Sequence, residues 1–188
     1  MGTGGRPTVA RKPANAASDP PVLLLVTRTA QVLSRLTEGL SGLLLGAIVV
    51  INVLQVVFRY LIGAPLGWTE EVMRYAVVWL TFLAATAALH RGEHMVIDVL
   101  GPVLPGRLQR LVYIVVLLCI GTFCWVLVAE GLPLAIRNAA QTSPSARIPM
   151  IVPYVSVAVG GLLILIQTVC LLILVSTGRA DPPRASGT

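Results

Sequence analysis

Four stretches of this chain are almost unbroken runs of apolar residues, each about 20 residues or longer, and the polar residues gather between them. A helix rises about 1.5 Å per residue, so about 20 apolar residues cross a hydrocarbon layer of about 30 Å. The pattern predicts helices over 39–62, 69–89, 108–132 and 150–175, together forming a membrane domain over 39–175. The turn between the first two is Gly63, Ala64, Pro65, Leu66 and Gly67, whose glycines and proline break helices. Thr69 is the expected N-cap of the second helix, and Glu70 and Glu71 fill its first turn, where carboxylates meet the positive helix end. A polar loop from His90 to Arg110 follows, broken by Pro102 and Pro105. The third helix is expected to stop at Leu132, just before Pro133, and the turn-rich TSPSARIP leads into the fourth.

Residues 1–21 and 176–188 are rich in Gly, Pro, Ala and Arg and offer little to bury, so both are expected to be disordered tails. Over 22–38, Leu25, Val32, Leu33 and Leu36 recur at helical spacing, with Arg28, Gln31, Ser34, Arg35 and Glu38 on another face. That segment reads either as an N-terminal interfacial helix along the membrane surface or as the first turns of the first span.

Within the spans the polar and small residues are also periodic. Gly39, Gly42 and Gly46 form one small face, and Thr81, Ala84, Ala85 and Ala88 form another; both suit close helix contact. Gly160, Gly161 and Gln167 mark the packing face of the last helix. Asn52, Gln55 and Arg59, three and four residues apart, make a polar stripe that lipid suits poorly. Trp68 is the residue type that settles at a bilayer interface.

Composition agrees with this picture, being 56% hydrophobic and 12% charged with a mean hydropathy of +0.86. The formal charge of +6 does not point to nucleic acid, because the basic residues are scattered through tails and loops. They serve instead as topology signals: with both termini in the cytoplasm, ten basic residues lie inside and four outside. Lys12 is the only lysine, so the phosphate-cradling loop of an ATP-driven protein is missing. Cys119, Cys124 and Cys170 all fall in apolar runs and read as small buried hydrophobes.

The charges near the spans offer two constellations. Arg59 with Glu70 and Glu71 predicts ion pairing across the first turn, with Glu70 taking Arg74 within its helix and Glu71 left for Arg59, or the pairs exchanged. The alternative is a coupling-ion or proton relay. His90 and His94, beside Glu93 and Asp98, raise metal or haem ligation, but Arg91 and Gly92 intervene and no second cluster completes a ligand set. His94 and Asp98 are expected to pair locally. With no nucleophile elbow and no carboxylate pair within a span, no enzyme, metal or cofactor is expected. No span is broken and no internal repeat appears, so this chain is not expected to carry a solute alone.

The run N-V-x-x-x-x-x-R-Y from Asn52 to Tyr60, W-T-E-E from Trp68 to Glu71, Arg74, Trp79 and R-G-E-H-x-x-x-D from Arg91 to Asp98 resembles the small membrane subunit of TRAP transporters, the DctQ family. TSPSARIPMIVPY, from Thr142 to Tyr154, resembles that family's entry into its last helix. The resemblance implies a bacterial inner-membrane protein of four spans. It also implies a scaffold role beside a large membrane subunit that holds the transport site and a periplasmic solute-binding protein. Uptake would be driven by an ion gradient, with organic acids as substrates. Asn52, Gln55, Arg59, Trp68, Glu70, Glu71, Arg74, His94 and Asp98 are then expected to be structural or partner-contact residues. The competing readings are a stand-alone cation-coupled transporter and a haem-bearing membrane anchor of a respiratory complex.

Overall fold

A computed structural model describes residues 21–64, 66–91 and 106–177. The described residues form four α-helices: α1 (Pro21–Val57), α2 (Gly67–Arg91), α3 (Gly106–Arg137) and α4 (Ile151–Ser176). Each is long and apolar enough to span a membrane.

α1 starts at Pro21, which costs nothing at a first helical position because that N–H has no partner there anyway. It then runs unbroken through 22–38 and into a π-helical turn at Phe58–Ile62. The two readings of 22–38 thus merge into one helix of about 60 Å, roughly twice the thickness of a hydrocarbon core. Gly63 ends it in the left-handed conformation at φ 73° with its N–H on the Phe58 carbonyl, a geometry that glycine adopts without strain.

On α1 the buried positions Ala30, Ser34 and Thr37 continue into the half-buried Ser41, Leu44, Ile48, Ile51, Gln55 and Phe58. The alternating spacing of four and three is that of a heptad seam, one narrow line of contact along the helix. α2 lies antiparallel against α1, and α4 meets α1 near its start, where Thr29 Oγ1 is 3.8 Å from Cys170 Sγ.

α4 is the centre of the bundle and touches the other three helices, whereas among the described helices α3 packs on α4 alone. Two adjacent glycines make this possible. A Cβ on Gly160 would fall on the Phe82 side chain of α2; one on Gly161 would come within 3.2 Å of Leu127 and 3.3 Å of the Cys124 carbonyl on α3. The packing face expected from Gly160, Gly161 and Gln167 is therefore the one α4 uses, and Gln167 is fully buried. A hydrophobic cluster of Leu23, Leu89, Tyr113, Leu117, Leu171, Leu174 and Val175 fills the end of the bundle nearest the termini. There the Arg110 guanidinium donates to the carbonyls of Val175 and Ser176, closing the last turn of α4.

Two boundaries differ from expectation. α3 continues through Pro133 to Arg137, because the proline sits within the final turns and removes one hydrogen bond; Asn138 Nδ2 then caps the Leu134 carbonyl at 2.8 Å. Thr69 is not the N-cap of α2, which starts at Gly67. Its buried hydroxyl instead donates back to the Leu66 carbonyl at 2.6 Å.

Candidate partner-binding hairpin

The α1–α2 hairpin carries most of the residues expected to matter, and the structure sorts them into two sides. Tyr75, Trp79, Phe82 and His90 face α4. The Tyr75 hydroxyl donates to Met150 Sδ at 3.6 Å, Trp79 Nε1 donates to the Val152 carbonyl at 3.3 Å, and Phe82 covers Gly160. Near the far end His90 Nδ1 lies 2.8 Å from Gln167 Nε2. Glu70, Arg74, Val77, Thr81 and Ala84, again three and four residues apart, form the exposed stripe on the other side of α2.

At the turn end Gln55 Nε2 reaches Glu70 Oε1 at 3.5 Å, so the polar stripe of α1 meets the exposed stripe of α2. Asn52 and Arg59 flank Gln55 on α1, and both are exposed. The Arg59 guanidinium lies 5.9 Å from the ring centroid of its neighbour Tyr60. Trp68 is exposed just before the first charged turn of α2.

Among the described residues no ion pair within 4.0 Å joins Arg59 or Arg74 to Glu70 or Glu71, although the charge of Arg74 acts on Glu71 from within the same helix. Glu71 points to a different partner. Its carboxylate accepts hydrogen bonds from the Ser143 hydroxyl, from the Ser145 N–H at 3.3 Å and from the Ala146 N–H at 2.9 Å. These groups belong to the loop between α3 and α4, which a bridge between Thr142 and Pro149 folds back on itself, with Arg147 in the left-handed region at φ 52°. Amides in a tight loop held by a single bridge need acceptors, and a carboxylate supplies several at once. Glu71 thereby ties the start of α2 to the loop leading into α4.

Sequence reasoning missed Ser143, Ser145 and Ala146 as partners of Glu71. The signal was the TSPSARIP turn, whose tight geometry leaves amides exposed for capture. It also missed the His90 to Gln167 contact, since residues 77 apart on separate helices share no pattern. His94 and Asp98 lie outside the described residues. Among the described residues no three His, Cys, Asp or Glu side chains come together as a metal site. The buried hydroxyls of Thr37, Thr86, Ser156 and Thr168 are each used by a carbonyl three or four residues back in the same helix. What the hairpin offers is surface and polar contacts.

The glycine face of α1 takes no part in the bundle: a Cβ on Gly39, Gly42 or Gly46 would meet nothing within 4 Å. Thr81, Ala84 and Ala85 of α2 are likewise exposed.

Comparison with known proteins places this architecture. Residues 48–178 match the family described as tripartite ATP-independent periplasmic transporters, DctQ component. A protein of Haemophilus influenzae described as a TRAP transporter small permease is 27% identical over 79% of this chain and 91% of its own length. The C4-dicarboxylate TRAP transporter small permease protein DctQ of Vibrio cholerae is 27% identical over 50% of this chain and 40% of its own. The isethionate TRAP transporter permease protein DctMQ of Oleidesulfovibrio alaskensis is 31% identical over 57% of this chain, a match that spans only 18% of that longer protein. These matches give no support to a stand-alone cation-coupled transporter or to a haem-bearing anchor. From its four apolar helices and the match over 48–178, this chain is a multi-pass bacterial inner-membrane protein and belongs to the DctQ family of TRAP transporter small subunits.

Proposed function

We propose that this chain is the scaffold subunit of a tripartite uptake system, holding a large membrane subunit in place while that subunit imports an organic acid, driven by an ion gradient. The observation that carries this reading is the state of α1. None of its most apolar 18-residue window is buried by the rest of the chain, although the helix is amply long enough to span a membrane. A helix held by one narrow seam leaves most of its surface to be covered by another membrane protein. The buried hydroxyls of Thr37, Thr86, Ser156 and Thr168 support the same role, because each donates within its own helix and is not offered to a solute.

In this reading both described ends face the cytoplasm, and the loop clasped by Glu71 faces the periplasm, where a solute-binding protein delivers substrate. The relatives named for isethionate and for C4-dicarboxylates suggest an organic anion as the cargo. The chain itself performs no catalysis. Uptake into proteoliposomes tests the proposal. Radiolabelled organic acid is expected to enter only when this chain, the large subunit and the binding protein are all supplied. Uptake by this chain alone would overturn the scaffold reading.

A further inference from the structure

We infer that the large subunit seats on one particular flank of the α1–α2 hairpin, the side carrying Asn52, Arg59, Glu70 and Arg74 and continuing into Thr81, Ala84 and Ala85, and that it places a carboxylate opposite Arg59. This inference rests on the small-subunit reading and gives that reading a surface.

Asn52 is the deciding residue. It is exposed and makes no hydrogen bond among the described residues. It lies ten residues before the end of the π turn at Ile62, which is about 15 Å of helix, or half the depth of a hydrocarbon core. An amide there has donors and acceptors that lipid tails cannot meet, and its side chain is too short to reach a headgroup. Two turns on, Arg59 has the Tyr60 ring for company and no carboxylate, since Glu71 is committed to the loop and Glu70 to Gln55. A headgroup could serve Arg59, but nothing in lipid serves Asn52. Both are met by a protein helix bearing an amide or hydroxyl at half depth and a carboxylate near the surface. Beside them Thr81, Ala84 and Ala85 keep α2 slim, which allows that helix to approach closely.

The face fits a different protein better than a second copy of this chain. A second copy would bring its own Arg59 and Arg74 to a flank that already has two arginines and a single carboxylate, Glu70, which Gln55 already engages. In the isethionate permease the matched unit is a small part of a much longer polypeptide, so a large membrane neighbour is covalently present beside it.

Site-directed photocrosslinking in membranes co-expressing the neighbouring permease tests the inference. In a Cys119→Ser background, where Cys124 and Cys170 are buried, single cysteines are introduced as Asn52→Cys, Ala84→Cys and Gly46→Cys and labelled with benzophenone maleimide. Gly46 is six positions before Asn52 and therefore about a third of a turn round α1. Native Cys119, exposed on α3, supplies a fourth position in the unmodified chain. Adducts with the large subunit are expected from Asn52→Cys and Ala84→Cys, at about tenfold the yield from Gly46→Cys or Cys119. Arg59→Glu is expected to cut the large subunit recovered by co-purification about tenfold, whereas Arg59→Lys keeps most of it. Adducts chiefly from Gly46→Cys or Cys119, or adducts joining two copies of this chain through the flank, would overturn the inference while leaving the small-subunit reading intact. A wild-type chain that recovers no large subunit would remove that reading itself.

Discussion

Position 160 has no side chain because the Phe82 ring occupies the space a Cβ would need. Gly160→Ala should therefore lower stability by about 1–3 kcal/mol, as overpacked cores do. In a Phe82→Gly background, which removes the Phe82 Cβ as well as the ring, the same substitution should cost far less, and SDS-induced unfolding of the single and double variants measures the difference; an equal penalty in both backgrounds would rule out this contact as the cause. Glu71 acts by a different principle, its carboxylate accepting from a hydroxyl and two amides of one loop. Glu71→Ala should speed hydrogen exchange at Ser145 and Ala146 about tenfold, while Glu71→Gln, which keeps one acceptor oxygen, should speed it less. Unchanged exchange in the alanine variant would show that the Thr142 to Pro149 bridge holds the loop without help. The residue types and spacing at both sites were readable, but their partners were not. Glu71 stood beside two arginines in the sequence, and the nearest opposite charge was the natural expectation. The loop amides won because three hydrogen bonds to one carboxylate in fixed geometry outweigh a single flexible ion pair near a surface.

Among the elements, α4 does most to hold the bundle, since it alone touches the other three helices. Its Gln167 is fully buried with Nε2 beside His90 and with Oε1 lacking any hydrogen-bond donor. Gln167→Leu removes that unmet carbonyl along with the amide and is expected to cost less than about 1 kcal/mol. Gln167→Ala leaves a cavity and should cost about 2 kcal/mol or more. Unfolding titrations of the two variants separate packing from hydrogen bonding; a leucine variant as damaged as the alanine variant would mean that the His90 contact carries the stability. α1 behaves in the opposite way. Its heptad seam commits one line of residues to its own chain and leaves most of its surface open, a division that hydropathy alone does not reveal because both faces are apolar. Pro133 does not end α3: within the last turns it removes a single hydrogen bond, and the helix persists to Arg137.

For the whole molecule, the described ends of the chain lie at one end of the bundle, as an even number of crossings requires. The proposed orientation has its own test. A membrane-impermeant maleimide applied to spheroplasts should label Ser145→Cys and leave Thr177→Cys unlabelled until the membrane is opened; the reverse pattern would invert the topology. Four apolar runs of spanning length, the turn at Gly63, the small faces and the charge asymmetry were all determined by the sequence, because length, hydropathy and helical periodicity are local properties that the bilayer reads directly. The motifs from Asn52 to Asp98 pointed to the family on the same local grounds. Only the tertiary structure decided which small faces pack inside the chain and which remain open, because Gly160 and Gly39 carry the same signal and differ only in what stands opposite them. It likewise decided that Glu71 clasps a loop 72 to 75 residues away and that Asn52 makes no hydrogen bond among the described residues, since hydrogen bonds between distant segments depend on how the helices are placed and leave no period in the sequence.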